Sequence, residues 1–217
     1  MKRIVVLVTL LVAACNTSRS IDRLLTEVWT QDQAIRQQMI ELTRAVTVEG
    51  RMELVDSLLI VNEAMERIDA KNMAVVDSLL KQGLPEGLSE ESYKTIWIVI
   101  DHASLVQQER HLPLIKQMAD NGKIGQDEYA TLFDRVAMKQ QRPQRYGTQS
   151  VHFGTADATQ LRLWPVECPA KLDSLRATVG LSPIAEYLET LTQTMGIDAQ
   201  FDPAITVEEL NALRNEE

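Results

Sequence analysis

The chain has 217 residues and a formal charge of −9, with 45% hydrophobic and 24% charged residues, ordinary globular values that argue against general disorder. A surface this acidic is a poor partner for phosphate backbones, so no nucleic acid is expected. Aromatic residues make up only 5%, beside 9 Gly and 7 Pro, which favours helices over a many-stranded barrel or sandwich.

At the N-terminus, Met1-Lys2-Arg3 is a short basic segment and Ile4 to Val12 an apolar stretch of nine. That stretch is too short to span a bilayer core of ~30 Å. It leads into Val12-Ala13-Ala14-Cys15, which resembles the bacterial lipobox, whose cysteine thiol is diacylated and becomes the first residue after cleavage. Residues 1–14 thus read as a lipoprotein signal peptide, Cys15 as the lipid attachment site and 15–19 as a lipidated tether. Acyl chains contribute ~0.8 kcal/mol per buried CH₂, enough for durable membrane anchoring with two or three chains. Asn16 is not the aspartate that retains such proteins in some inner membranes, which favours the outer membrane. Loss of Lys2 and Arg3 takes the charge from −9 to −11. With Cys15 acylated, Cys168 has no thiol partner and is expected to be a small packed residue.

The predicted elements follow in chain order. Ser20 is placed as the cap of a first helix with apolar positions Ile21, Leu24, Leu25, Val28, Ile35, Met39, Leu42 and Val46, in steps of three and four. A step of four from Val28 lands on Asp32, a carboxylate on the buried stripe, with Arg36 one turn on as its natural partner. A second helix is predicted over Arg51 to Ile68 and a third over Ala70 to Lys81, stopping at Gly83 and Pro85. Ser89 opens a long helix through Ile96-Trp97-Ile98-Val99-Ile100 and His102, ending or kinking at Pro113. A short helix reaches Asn121-Gly122, and another runs from Asp127 to Gln140. Arg145 to Phe153 and Thr159 to Val166 read as two strands around Gly154–Ala158. Pro169 and Pro183 begin two further helices, which stop near Gly180 and Gly196. Thr206-Val207-Glu208-Glu209 is a capping box for a last short helix. The fold class is mainly α: a single compact helical domain over 20–195 with one β-hairpin near 145–166, then a C-terminal extension, 196–217.

Several of these residues carry a resemblance. They are Asp32-Gln33 with Arg36, His102-Ala103, and Tyr129-Ala130-Thr131-Leu132-Phe133-Asp134-Arg135-Val136. Further on come Pro143-Gln144-Arg145-Tyr146-Gly147-Thr148-Gln149, Arg176, Val179-Gly180-Leu181-Ser182-Pro183 and Tyr187. From about Leu24 to Leu188 the chain resembles the bacterial family known as domain of unknown function 6624. Cys168 stands where that family has an acidic residue, and Asp101 where it usually has glutamine. The resemblance implies relatives that are exported or lipid-anchored, and it supplies no reaction.

The candidate chemistry rests on polar residues in apolar settings. Asp32, His102 and Asp134 all share helix faces with hydrophobic neighbours, and burying an unpaired charge costs several kcal/mol. Arg36, Arg135, Gln144, Tyr146 and Gln149 are the donors at hand. These eight residues form either a buried network that clamps the hairpin, a ligand pocket, or an active site. In the last, His102 is acid/base with Asp32 or Asp134, and Arg36 or Arg135 binds an anion. A non-enzymatic binding or interaction module, with a small ligand or an envelope protein as partner, is placed ahead of a hydrolase-like or transferase-like enzyme. Three scattered histidines and one thiol make no metal-site spacing along the chain, so neither metal nor cofactor is expected. The expected location is the bacterial cell envelope, with the membrane engaged through Cys15.

Overall fold

A computed structural model describes the backbone of residues 2–153 and 160–215 and the side chains of 18–152 and 160–214. The side chains of residues 1–14, which the sequence reading takes as a signal peptide, and of Cys15, and the predicted turn Gly154–Ala158, lie outside the described residues. The architecture is mainly α with one antiparallel hairpin, as composition and periodicity predict. The chain divides into two compact units, Met1–Ala103 and Ser104–Glu217.

The first unit is built from α1 (Lys2–Thr47), α2 (Val55–Leu80) and α3 (Glu90–His102), and each packs on the other two. Leu25, Val28 and Ile35 of α1 are buried, as are Met73 and Val76 of α2 and Ile96, Val99 and Ile100 of α3. Each such side chain contributes about 1.5–3 kcal/mol on leaving water. Two expectations are corrected. Ser20 lies inside α1 and caps nothing, because no glycine or proline interrupts the chain there. The two helices predicted on either side of Asp69 are one, α2, since neither Asp69 nor Ala70, a strong helix former, breaks the helix. Ser89 does cap α3, its hydroxyl accepting from the Ser92 amide. Asp22 Oδ1 reaches across from α1 to accept from the Ser89 amide at 3.0 Å and the Ser92 hydroxyl at 2.7 Å. That contact fixes the start of α3 against α1.

The long helix predicted from Ser89 to Pro113 is two helices. α3 ends at His102, and Ser104 opens α4 (Leu105–Asp120) with a capping box to Gln107. The capping box decides the break. Pro113 lies inside α4, where it and Glu109, whose carbonyl loses its helical donor, are both exposed and water can serve instead.

The second unit continues with α5 (Gln126–Lys139), β1 (Ser150–Phe153), β2 (Gln160–Leu163), α6 (Leu172–Thr178) and α7 (Ile184–Met195). A strand β3 (Ala199–Gln200) and α8 (Val207–Asn215) follow. β1 and β2 pair antiparallel, Ser150 opposite Leu163, so both strands are shorter than predicted. The residues 145–149 form a loop instead, because their amides are engaged by a side chain of α5, described below. β3 was not foreseen. It pairs parallel with β2, so the segment after residue 195 returns to the unit. The Thr206–Glu209 capping box forms, and Val207 and Leu210 of α8 pack on Trp164. Trp164 is fully buried and donates Nε1–H to the Arg142 carbonyl at 2.8 Å. Cys168, expected to be packed, is exposed; it precedes the Pro169–Lys171 turn, where the chain runs over the surface. No helix among the described residues is long and apolar enough to cross a membrane.

Candidate functional site

The stripe that runs down α1 through Leu25, Val28 and Ile35 includes Asp32, whose side chain is only 1% exposed. A carboxylate there must be matched by donors, and it is. His102 Nδ1 lies 3.0 Å from Asp32 Oδ1, Arg36 Nη2 lies 3.4 Å from the same oxygen, and Gln33 Nε2 donates to Oδ2 at 2.8 Å. Burial alone would raise the Asp32 carboxyl. The His102 hydrogen bond, the charges of His102 and Arg36, and the Gln33 amide outweigh it and hold the carboxyl below its ordinary value.

Arg36 does more than pair within its own helix. Its Nη2 donates to Asp69 Oδ1 of α2 at 2.7 Å, and its Nε lies 2.9 Å from His102 Nδ1 of α3. Four charged or titratable groups from three helices therefore meet at one place. Three of them remain partly open: Arg36 and His102 at 19% and Asp69 at 21% exposure. Among the described residues His102 Nε2 has no hydrogen-bond partner. Asp69 escaped the sequence reading, although a signal exists. Steps of four along α2 run Val61, Met65, Asp69, Met73, with Val61 and Met73 buried, the same apolar step that singles out Asp32.

Asp134 of α5 behaves differently. It is 0% exposed, and the loop after α5 wraps around it. Its Oδ1 accepts from the amide of Arg145 at 2.8 Å, and both oxygens accept from the amide of Tyr146. Its Oδ2 also accepts from the Thr148 amide at 3.1 Å and hydroxyl at 3.0 Å. Burial pushes this carboxyl above its ordinary value, and the donors from Arg145, Tyr146 and Thr148 pull it partway back. The wrap requires Gly147 at φ +68°, with Leu172, Ile184 and Leu163 carbons within 3.5 Å of where a Cβ would sit. No other residue suits that position.

Around this carboxylate the remaining predicted residues serve the loop. Gln144 Nε2 donates to the carbonyls of Gln149 and Trp164, and its Oε1 accepts from the Gln149 amide. Gln149 Nε2 donates to the Thr131 carbonyl. Tyr146 is buried with Ala130 and Val179, its ring edge-on to Phe133 at 6.0 Å. Arg135 is half-buried on α5, and its charge bears on Tyr187. Arg176, named in the sequence only through the resemblance, is central. It is buried and donates to the carbonyls of Tyr146, Gly147 and Ser182. Its guanidinium lies 4.7 Å from the Tyr187 ring centre, and the Tyr187 hydroxyl donates to the Thr148 carbonyl at 3.0 Å.

Seven of the eight predicted residues, all but Arg135, thus fall into two sets. Asp32, Arg36 and His102 meet in the first unit with Asp69 added. Asp134, Gln144, Tyr146 and Gln149 gather in the second with Arg176 and Thr148 added. Of the two carboxylates offered as partners for His102, Asp32 is in contact with it, and Asp134 spends both oxygens on the 145–148 loop. Two clefts of about 200 and 320 Å³ open in the second unit, one beside Arg162, Gln200 and Asp202 and one beside Pro143, Pro165 and Pro203. None of the eight residues lines either.

Comparison with curated proteins and with solved structures finds no match. The profile of one family does match, over residues 20–200. That span includes both polar clusters and extends past Leu188 to take in β3. The chain belongs to the family of unknown function DUF6624.

Proposed function

We propose that the chain is a lipid-anchored protein of the bacterial cell envelope, and that its first unit binds a small ligand without catalysis at Asp32, Arg36, Asp69 and His102. The observation that supports binding is a contrast in exposure. The Asp134 network is sealed and its carboxylate fully engaged, as a structural clamp requires. The Asp32 cluster keeps three of its four charged or titratable groups partly open to solvent, as a binding site requires. The envelope half of the reading is supported by the sequence Lys2-Arg3, Ile4 to Val12 and Val12-Ala13-Ala14-Cys15, and Asn16 favours the outer membrane.

Each half has its own test. Cys15→Ser is expected to move the protein from the membrane to the soluble fraction on cell fractionation, and unchanged membrane retention would contradict the anchor. For binding, thermal melts of the chain are run with divalent cations, phosphate and short carboxylates. At least one is expected to raise the melting temperature through linkage, and Asp69→Asn is expected to cancel that rise. A flat response to the whole panel would contradict binding at this cluster.

A second reading, an acid/base enzyme of hydrolase or transferase type, draws support from the 3.0 Å contact of Asp32 with His102 Nδ1, the arrangement in which a carboxylate orients a histidine base. It is the weaker reading, because Arg36 Nε approaches the same nitrogen at 2.9 Å and competes with that orientation.

A further inference from the structure

The class of ligand follows from what surrounds the Arg36 guanidinium, and the inference rests on the reading of this cluster as a binding site. Asp69 Oδ1 lies 2.7 Å from Nη2, Asp32 Oδ1 lies 3.4 Å from Nη2, and His102 Nδ1 lies 2.9 Å from Nε. Asp32, Asp69 and His102 each offer one ligand atom, and the three atoms lie within 4.8 Å of one another. They come from three helices and converge on a cation that the chain itself supplies. We propose that Asp32, Asp69 and His102 form a binding site for a first-row divalent metal ion, which takes the place of the Arg36 guanidinium as that side chain turns outward to solvent.

A second observation points the same way. His102 Nδ1 has an acceptor, Asp32 Oδ1, at 3.0 Å and a donor, Arg36 Nε, at 2.9 Å. One ring nitrogen cannot serve both. Without a proton it accepts from Arg36 and sets its lone pair against the carboxylate oxygen. With a proton it donates to Asp32 and meets the Arg36 N–H head on. With Asp32 ionised, one of the two contacts is repulsive whichever form the ring takes. An ion resolves the conflict, because a bare imidazole nitrogen and a carboxylate oxygen both donate to it. The 3.0 Å spacing is also what two ligands at right angles show around an ion with bonds of about 2.1 Å.

The donor set selects the kind of ion. Two carboxylates and one imidazole suit zinc, manganese or iron better than calcium or magnesium, which take oxygen ligands. Three protein ligands leave coordination positions open for water or a further ligand. Gln33 holds the Asp32 oxygen not facing His102, at 2.8 Å, the outer contact that ligating carboxylates receive. Spacing along the chain gave no hint of a metal, because the three ligands are separated by 33 or more residues and only helix packing joins them.

Calorimetric titration of Zn²⁺ and Mn²⁺ into the metal-stripped full-length chain tests this. Saturable one-to-one binding of at least one ion is expected. Arg36→Gln removes the competing cation and is expected to tighten binding about tenfold, since the binding-competent state no longer has to be uncovered. Asp69→Asn is expected to weaken it about tenfold or more, with circular dichroism confirming that both variants are folded. Arg36→Gln tests the displacement itself, because an ion seated away from the guanidinium would gain only the small, salt-screened effect of one lost charge. Absence of saturable binding by the chain, or binding that Asp69→Asn leaves unchanged, would overturn the proposal, and the Asp69 variant decides the matter even if Arg36→Gln does not fold. Should phosphate or a carboxylate raise the melting temperature while neither ion binds, the metal inference fails and the binding reading stands.

Discussion

Asp134→Asn is expected to destabilise the Ser104–Glu217 unit by about 3–5 kcal/mol, the range for breaking a buried charged network from one side. Asparagine matches aspartate in shape, so no cavity forms and the effect is one of hydrogen bonding alone. Every group that faces the two Asp134 oxygens is a donor: the amides of Arg145, Tyr146 and Thr148 and the Thr148 hydroxyl. The asparagine NH₂ must face the amides of Arg145 and Tyr146 in one orientation, or the Thr148 pair in the other. Either way a donor is buried against donors, and charge-assisted bonds become neutral ones. Urea unfolding followed by circular dichroism measures the loss; a change below about 1 kcal/mol would show that the loop does not depend on this carboxylate.

Arg176→Met is expected to cost about 3 kcal/mol, and for a complementary reason. Methionine fills most of the buried stem, so the loss again lies with polar groups. Asp134 holds the amides of the 145–148 loop, and Arg176 holds its carbonyls at Tyr146 and Gly147, at 2.8 and 2.9 Å. Removing the guanidinium leaves those carbonyls and that of Ser182 without their donor in a dry setting, and removes the cation from the face of Tyr187. Because the two residues grip one loop from opposite sides, the double variant is expected to lose less than the sum of the singles, by 1 kcal/mol or so. Strict additivity in a double-mutant cycle would mean that the two contacts act independently.

How much of this was legible in the chain differs from element to element. The stripe Leu25, Val28, Asp32, Ile35 is local information, so both α1 and the anomaly of a carboxylate on its buried face could be read directly. Arg36 as its partner was equally local, although the guanidinium sits closer to Asp69 and His102 than to Asp32. Those contacts span 33 and 66 residues, and no spacing rule reaches across helices. Asp69 itself is hidden by its position: Asp69-Ala70 reads as a helix boundary, where a carboxylate is expected to meet solvent. Pro113 misled in the opposite direction, since a proline on an exposed helix face interrupts less than its reputation suggests, and the Ser104–Gln107 capping box was the stronger signal. The loop 145–149 read as strand because its residues have strand propensity. A buried side chain eleven or more residues earlier claims its amides, and tertiary demand of that kind overrides propensity. The same holds for β3, whose two residues carry no pattern until β2 offers an edge.

The division of labour between the two clusters is most directly tested by thermal melts of Asp69→Asn and Asp134→Asn run side by side on the full-length chain. If the Asp32–Arg36–Asp69–His102 cluster is kept for a ligand and the Asp134 network for stability, Asp69→Asn shifts the melting temperature by no more than about 2 °C, in either direction. Asp134→Asn then lowers it by about 10 °C or more. Large and equal losses from the two variants would contradict the account, because both clusters would then be structural clamps.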